Sequence, residues 1–251
     1  QGAAAQTLTI TVTAAAALDT VITTATSIIT AGTVESGTAD AIVTASKSLA
    51  ASTPNAFANA KANIKITPKN AAGTTVGTAS NVGESMTAVL TGPGTLGTGT
   101  WAAGDAIGRA ISVKAGDFVY VYPDGASGVA TITISSALGV VLATEKVTFF
   151  GTATTITPTL ATAVLNPTAV ASGVNADAIS VAVTDASGVV VSNLNSGLYV
   201  TSETTTIVSQ SYANSCTFST ADQVYYCSLT GVAAGKTNIT IGTKSSATDA
   251  T

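Results

Sequence analysis

The side chains that carry most enzyme chemistry are sparse and scattered along this chain. Its carboxylates, among them Glu35, Asp40, Glu84, Asp105, Asp117, Asp124, Glu145, Asp177, Asp185, Glu203 and Asp222, form no spaced pair with a base or nucleophile beside them. There is no histidine, so the commonest general base and the commonest transition-metal ligand are both missing. The abundant serines therefore have no partner for a familiar triad, and the expectation is a protein that is not an enzyme. Calcium is the only cofactor left in view. Asp124, Asp177 and Asp185 could each serve it together with backbone oxygens, but the Asp-x-Asp-x-Asp-Gly loop is absent and turn capping is the better reading of all three.

Two further spots carry covalent chemistry. Cys216 and Cys227 are the only cysteines, and Thr220-Ala221-Asp222 between them fits a loop joining neighbouring strands. A disulfide is the favoured reading, which would place the chain in an oxidising compartment; a pair of reduced, buried thiols is the alternative. Two sulfurs without histidine are too few for zinc. Asn238-Ile239-Thr240 is an acceptor sequence for N-linked glycan on an outward strand position, although one such triplet in a threonine-rich chain is close to chance. The many threonines and serines could also carry O-linked sugars.

The elements that must hold these residues read as strands. In Gly128-Val129-Ala130-Thr131-Ile132-Thr133-Ile134, apolar Ala130, Ile132 and Ile134 alternate with Val129, Thr131 and Thr133, the period of a strand with one buried face. Thr7–Val12 and Thr237–Ile241 repeat the pattern near the two ends. Ile64–Pro68 runs into Asn70-Ala71-Ala72-Gly73, and Ile179–Thr184 runs into Asp185-Ala186-Ser187-Gly188, with Gly73 and Gly188 separated by 115 residues. Asn or Asp followed three residues later by Gly is turn chemistry: the side chain caps and Gly takes the left-handed position. This is an internal repeat with the period of a small β-sandwich.

Other expected strands are Val21-Ile22, Ile28-Ile29, Ser85–Leu90, Val140–Leu142, Val147–Phe150, Val200, Ile207-Val208 and Val224–Tyr226. Ala50–Asn63 reads as a turn followed by a short helical turn or an extended loop, and Gly97–Arg109, which holds Trp101, reads as a long loop. Phe118–Tyr122 is apolar on both faces. A central position in a sheet explains that best, with a contact to another domain or subunit as the alternative. Gly151 marks a border, because a new strand starts at Thr154 with no flexible linker, and so short a connection implies a fixed angle.

Composition excludes several classes. Nine Lys plus Arg against thirteen Asp plus Glu give a net charge of -4 without a basic cluster, which argues against nucleic acid. The mean hydropathy is positive, +0.47, yet no apolar run approaches the roughly 18 residues of a membrane span. Recurring alternation and sparse charge also speak against disorder.

Taken together, Ile64 with Asn70-Ala71-Ala72-Gly73, Gly92-Pro93-Gly94-Thr95-Leu96-Gly97, Tyr122-Pro123-Asp124-Gly125 and the Gly128–Ile134 strand resemble the bacterial immunoglobulin-like repeats (Big or invasin type) of cell-surface and surface-layer proteins. Asp185-Ala186-Ser187-Gly188 and Gly231–Gly235 with Ile239–Ile241 extend the resemblance over the second half, so that it covers most of residues 20–245. Tyr225-Tyr226-Cys227 resembles the Tyr-x-Cys of antibody domains, but Cys216 is too near in sequence to reach the opposite sheet. The resemblance implies an all-β chain of tandem immunoglobulin-like β-sandwich domains: residues 20–150, then 151–251 ending in a short polar tail, with 1–19 a strand of a preceding domain or a connector.

The same module serves in lattices, adhesins, fibres and phage tails, so the fold alone does not name the role. Low charge and a stiff joint suit a structural subunit of an extracellular, cell-surface assembly, a surface-layer lattice or filament formed by self-association. A stalk of a surface adhesin, or a phage tail or capsid decoration protein, is the alternative. The candidate subunit contacts are Trp101 and the apolar face Leu8, Ile10 and Val12 of the opening strand. Either an upstream part of a longer protein completes that strand's sandwich, which is the favoured reading, or the strand adds to a neighbouring sheet edge.

Overall fold

The computed structural model describes residues 9–11, 19–50, 56–77, 83–98, 107–162, 164–165, 174–194, 197–209 and 216–243. In these, strands make up about half of the residues and are nearly all of the regular structure. In order they are β1 (Thr24–Ala31), β2 (Val43–Ser46), β3 (Ala62–Lys69), β4 (Met86–Thr91), β5 (Thr95–Thr98), β6 (Ile107–Gly108), β7 (Ala110–Val113), β8 (Phe118–Tyr122), β9 (Gly128–Ser135) and β10 (Val141–Phe150). There follow β11 (Ala153–Leu160), β12 (Val174–Asp185), β13 (Leu198–Ser202), β14 (Val208–Ser209), β15 (Cys216–Ser219), β16 (Val224–Gly231) and β17 (Ile239–Thr243). The one helical element among the described residues is a 3-10 turn, Phe57–Asn59. The fold class is all-β, as the alternating threonines and β-branched residues dictate.

The first ten strands make two sheets, ordered β1-β3-β8-β5-β6 and β2-β10-β9-β4-β7. Their inner faces meet in one apolar core that includes Ile64, Leu96, Val119 and Val121 from the first sheet and Met86, Ile132, Ile134 and Phe149 from the second. The last seven strands make the sheet β11-β12-β16-β14, with β15 also paired to β16, and the two-stranded sheet β13-β17. A second core lies there, built on Val181, Val183, Tyr225, Cys227 and Leu229.

Strand β8 explains its own composition. It is central in its sheet, and Val119 and Val121 enter the core. Tyr120 and Tyr122 point the other way but are buried too, in a small cluster with Ala60 and Phe57. The ring of Phe57 meets Tyr120 edge-on at 4.9 Å, so the chain's own 3-10 turn covers the second apolar face.

Several sequence expectations need correction. The opening strand is not seen where it can be judged: Thr9–Thr11 belong to no strand, and Ile10 is 76% exposed. An apolar alternation without a neighbouring strand has nothing to bury against. Leu8 and Val12 lie outside the described residues, as do Trp101, Ser52–Asn55 and the polar end from Lys244. Val21-Ile22 precede β1 rather than forming a strand, although Ile22 is fully buried and its N–H reaches Glu84 Oε1 at 3.1 Å. The stretch from Gly97 to Arg109 is not all loop, since Leu96 and Gly97 pair with Gly108 and Ile107. Val140–Leu142 and Val147–Phe150 are parts of one strand, β10, with an irregularity between Val141 and Ala143.

Candidate functional site

Two places stand out, the joint between β10 and β11 and an open cleft beside β17. The first grows out of the repeated turn. After β3, Asn70 Oδ1 accepts the N–H groups of Ala72 at 3.1 Å and Thr74 at 2.9 Å, while Gly73 takes φ +78° and donates to the Asn70 carbonyl. After β12, Asp185 Oδ1 accepts from Ser187 at 2.8 Å and Val189 at 3.0 Å, and Gly188 at φ +77° donates to the Asp185 carbonyl. The two turns match bond for bond, including N–H to carbonyl links from Val76 to Pro68 and from Val191 to Val183.

Their second side-chain atoms differ. Asn70 Nδ2 donates to the Asp19 carbonyl at 3.0 Å. Asp185 Oδ2 instead accepts the Gly151 N–H at 2.7 Å, across the joint between β10 and β11. Burial pushes the Asp185 carboxyl up, but the neighbouring Ser127 hydroxyl and the N–H groups of Gly151, Val189 and Ser187 outweigh it and bring its pKa down to about 2. The buried Ser127 oxygen completes no well-formed hydrogen bond, so its help is one of proximity. A Cβ on Gly151 would stand 3.0 Å from Lys47 Cε, 3.2 Å from Asp185 Oδ2 and 3.3 Å from Ser127 Oγ, so a side chain there would have to push these neighbours back by a few tenths of an ångström. A further link crosses it, between Thr44 Oγ1 and Ser192 Oγ at 2.7 Å, while the Lys47 N–H, 2.8 Å from the Phe150 carbonyl, continues the β2–β10 pairing up to the joint.

The remaining site candidates fall apart from one another. Cys216 and Cys227 are directly opposite on β15 and β16 and form a disulfide, with the turn at 220–223 between the strands. Beside it Tyr225 is fully buried; its hydroxyl donates to the Val191 carbonyl at 2.7 Å and accepts the Leu194 N–H at 2.9 Å. Asn238 is exposed just before β17, not within a strand, and its Nδ2 donates to Glu203 Oε2 at 2.7 Å. Asp124 accepts from the Ala126 N–H in its turn, and Asp177 sits at φ +52° in the irregular part of β12. Asp185, the third calcium candidate, has both oxygens engaged as described. Among the described residues no three His, Cys, Asp or Glu side chains gather as a metal site, and no helix is long and apolar enough to cross a membrane.

The cleft is open, with a volume of about 1110 Å³, and is bounded by the ends of β11 and β17 and by residues 203–208 and 231–238; Pro158, Leu160, Ile239 and Ile241 line it together with the charged Glu203 and Lys236. Sequence reasoning missed it, and it missed the joint contacts of Asp185, although the Asp-to-Gly spacing pointed to that residue's turn. It also missed Arg109, the one arginine, whose guanidinium donates to the Leu90, Gly92 and Gly94 carbonyls and pins the Gly92-Pro93-Gly94 turn.

With this geometry in place, comparison with known proteins adds little. No family model matches the chain, and no curated protein does. Among solved structures it is similar to domains 4–9 of the surface layer protein SbsC, at 18% identity over 73% of this chain and 24% of that one, with a TM-score of 0.28. A structure of SbsC domains 4 and 5 gives 17% identity over 74% and 78%, again at 0.28. A glycosyl hydrolase family 2 member from Bacteroides cellulosilyticus gives 13% identity over 88% and 28%, at 0.33. The chain thus spans about a quarter of the first of these proteins. Similarity this low carries no argument about role.

Proposed function

We propose that this chain is a structural part of an extracellular assembly, a surface-layer lattice or filament, made of immunoglobulin-like units at about 20–150 and 151–251 and without a catalytic role. The observation that carries the reading is the joint. Only two residues separate β10 from β11, and Gly151 is tied to Asp185 in the turn beyond. A chain that must repeat one geometry over a lattice needs such a fixed angle, whereas a passive tether does not. The disulfide supports an oxidising location. Low charge favours packing against copies of the same surface.

Electron microscopy of the purified chain, with and without calcium, tests the reading. Sheets or fibres of regular spacing are expected; dispersed rods at every concentration would favour an adhesin stalk, and decoration of added phage particles a tail or capsid role. Assembly only with calcium would add that ion as a partner.

A further inference from the structure

We infer that residues 7–12 of one copy add as a strand to the open edge of β17 in the next copy, joining subunits head to tail; this rests on the proposed self-assembling role and names its contact. The first observation is an inequality between matching strands. In β9, Ile132 and Ile134 are fully buried, and the strand is flanked by β4 and β10. In β17, Ile239 and Ile241 follow the same alternation but are only half-buried, and among the described residues the strand pairs with β13 alone. Where β10 closes the first core, the described residues of the second leave the cleft, lined there by Ile239, Ile241, Pro158 and Leu160 among others.

The second observation is the opening segment. Leu8, Ile10 and Val12 are spaced to fill alternate positions along such a cleft, as Val147 and Phe149 do from β10, with threonines facing away. No charged residue occurs before Asp19, so the inserted strand carries no charge of its own into the cleft, whose lining includes Glu203 and Lys236. Ile10 is exposed and in no strand, and so is available. Six residues in extended form span about 20 Å, enough to line the five residues of β17. Strand addition of this kind draws affinity from main-chain hydrogen bonds and register from alternate side chains.

The chain's own cleft is distant along the strands. Asp19 is held by Asn70 at one end of β3, and the exit at Phe150 lies towards the other, since Ala62 pairs with Val121 and Gly94 packs near both Tyr122 and Phe149. That is about 26 Å of extended strand, and Leu160 lies about 23 Å further along β11 from the joint. Residues 13–18 cover at most about 25 Å. A second copy is the acceptor this inference takes.

The test compares the full chain with Ile10→Asp and with a chain lacking residues 1–13, using electron microscopy and sedimentation. A synthetic peptide of residues 5–14 serves as the probe. The expected result is that both variants stay folded by circular dichroism but lose polymer, and that excess peptide shortens wild-type polymers and raises the thermal midpoint of the truncated chain. Polymers of unchanged length in Ile10→Asp would overturn this contact while leaving the assembly role standing. A wild-type chain that never assembles would overturn both. Loss of thermal stability in Ile10→Asp at a concentration where the wild type is monomeric would show the strand in its own cleft, and would equally overturn the inference.

Discussion

Strands β9 and β17 spell nearly the same pattern and end in different states. One has its isoleucines sealed between two neighbours; the other pairs, among the described residues, with β13 alone, and its isoleucines are only half-buried there. Alternation fixes which face a strand turns to the core, but the number of neighbours decides how much apolar surface leaves water, and so how much the strand contributes. The turns after β3 and β12 teach the same lesson on a smaller scale. Their capping bonds are identical, yet Asn70 offers a donor to the Asp19 carbonyl and Asp185 offers an acceptor to the Gly151 N–H. Each side chain suits the backbone group that the preceding segment presents.

The widest contrast should come from the isoleucines. Ile132→Ala is expected to destabilise the first core by about 2–5 kcal/mol in denaturant unfolding, and Ile241→Ala to cost about 1 kcal/mol in the dilute chain. Equal losses would mean that β17 is as well covered as β9. Next in size is the disulfide, confined to the second half. Replacing both cysteines by alanine should lower stability by about 2–3 kcal/mol, with unfolding of the second core preceding that of the first. A single cooperative transition that shifts as a whole would tie the two cores into one unit.

Much of this was legible in the residues. The two-residue period of Ala130, Ile132 and Ile134, and the Asn-to-Gly and Asp-to-Gly spacings, are local signals, because the backbone groups they satisfy lie within a few positions. The disulfide's setting was also readable, since a short loop between Cys216 and Cys227 leaves only adjacent strands. What escaped depends on distant partners. The pairing of β5 with β6 runs through glycine-rich sequence with no alternation. Tyr225 reaches back 34 residues to Val191, and the number of strands that flank β17 is a property of its surroundings. The antibody-like Tyr-x-Cys signal did mark a tyrosine whose hydroxyl satisfies the backbone, but not the groups it would meet.

The turn residues offer a finer break. Asp185→Asn sets an amide donor against the Gly151 N–H, and Asn70→Asp sets a carboxylate against the Asp19 carbonyl; each should cost about 1–3 kcal/mol. Only the first should loosen the joint, seen as a broadened distribution of shapes in small-angle scattering. The carboxylate also leaves a pH signature. Its pKa is depressed from 3.8 to about 2 in the folded chain, so its contribution is complete above 3.8 and is lost as the pH falls towards 2. Asp185→Asn should flatten the stability curve across that window, and an unchanged slope would remove Asp185 as the linked group. Smallest is Tyr225→Phe, which leaves the Val191 carbonyl and the Leu194 N–H unsatisfied and should cost about 1–2 kcal/mol in the second half. No loss there would mean that water replaces the hydroxyl.

The difference between β9 and β17 is tested most directly by amide hydrogen exchange, read strand by strand in the dilute chain and in the assembled state. The account predicts slow exchange throughout β9 in both. It predicts fast exchange at alternate amides of β17 in the dilute chain, becoming as slow as β9 on assembly. Protection of β17 equal to that of β9 in the monomer, or unchanged exchange on assembly, would contradict it.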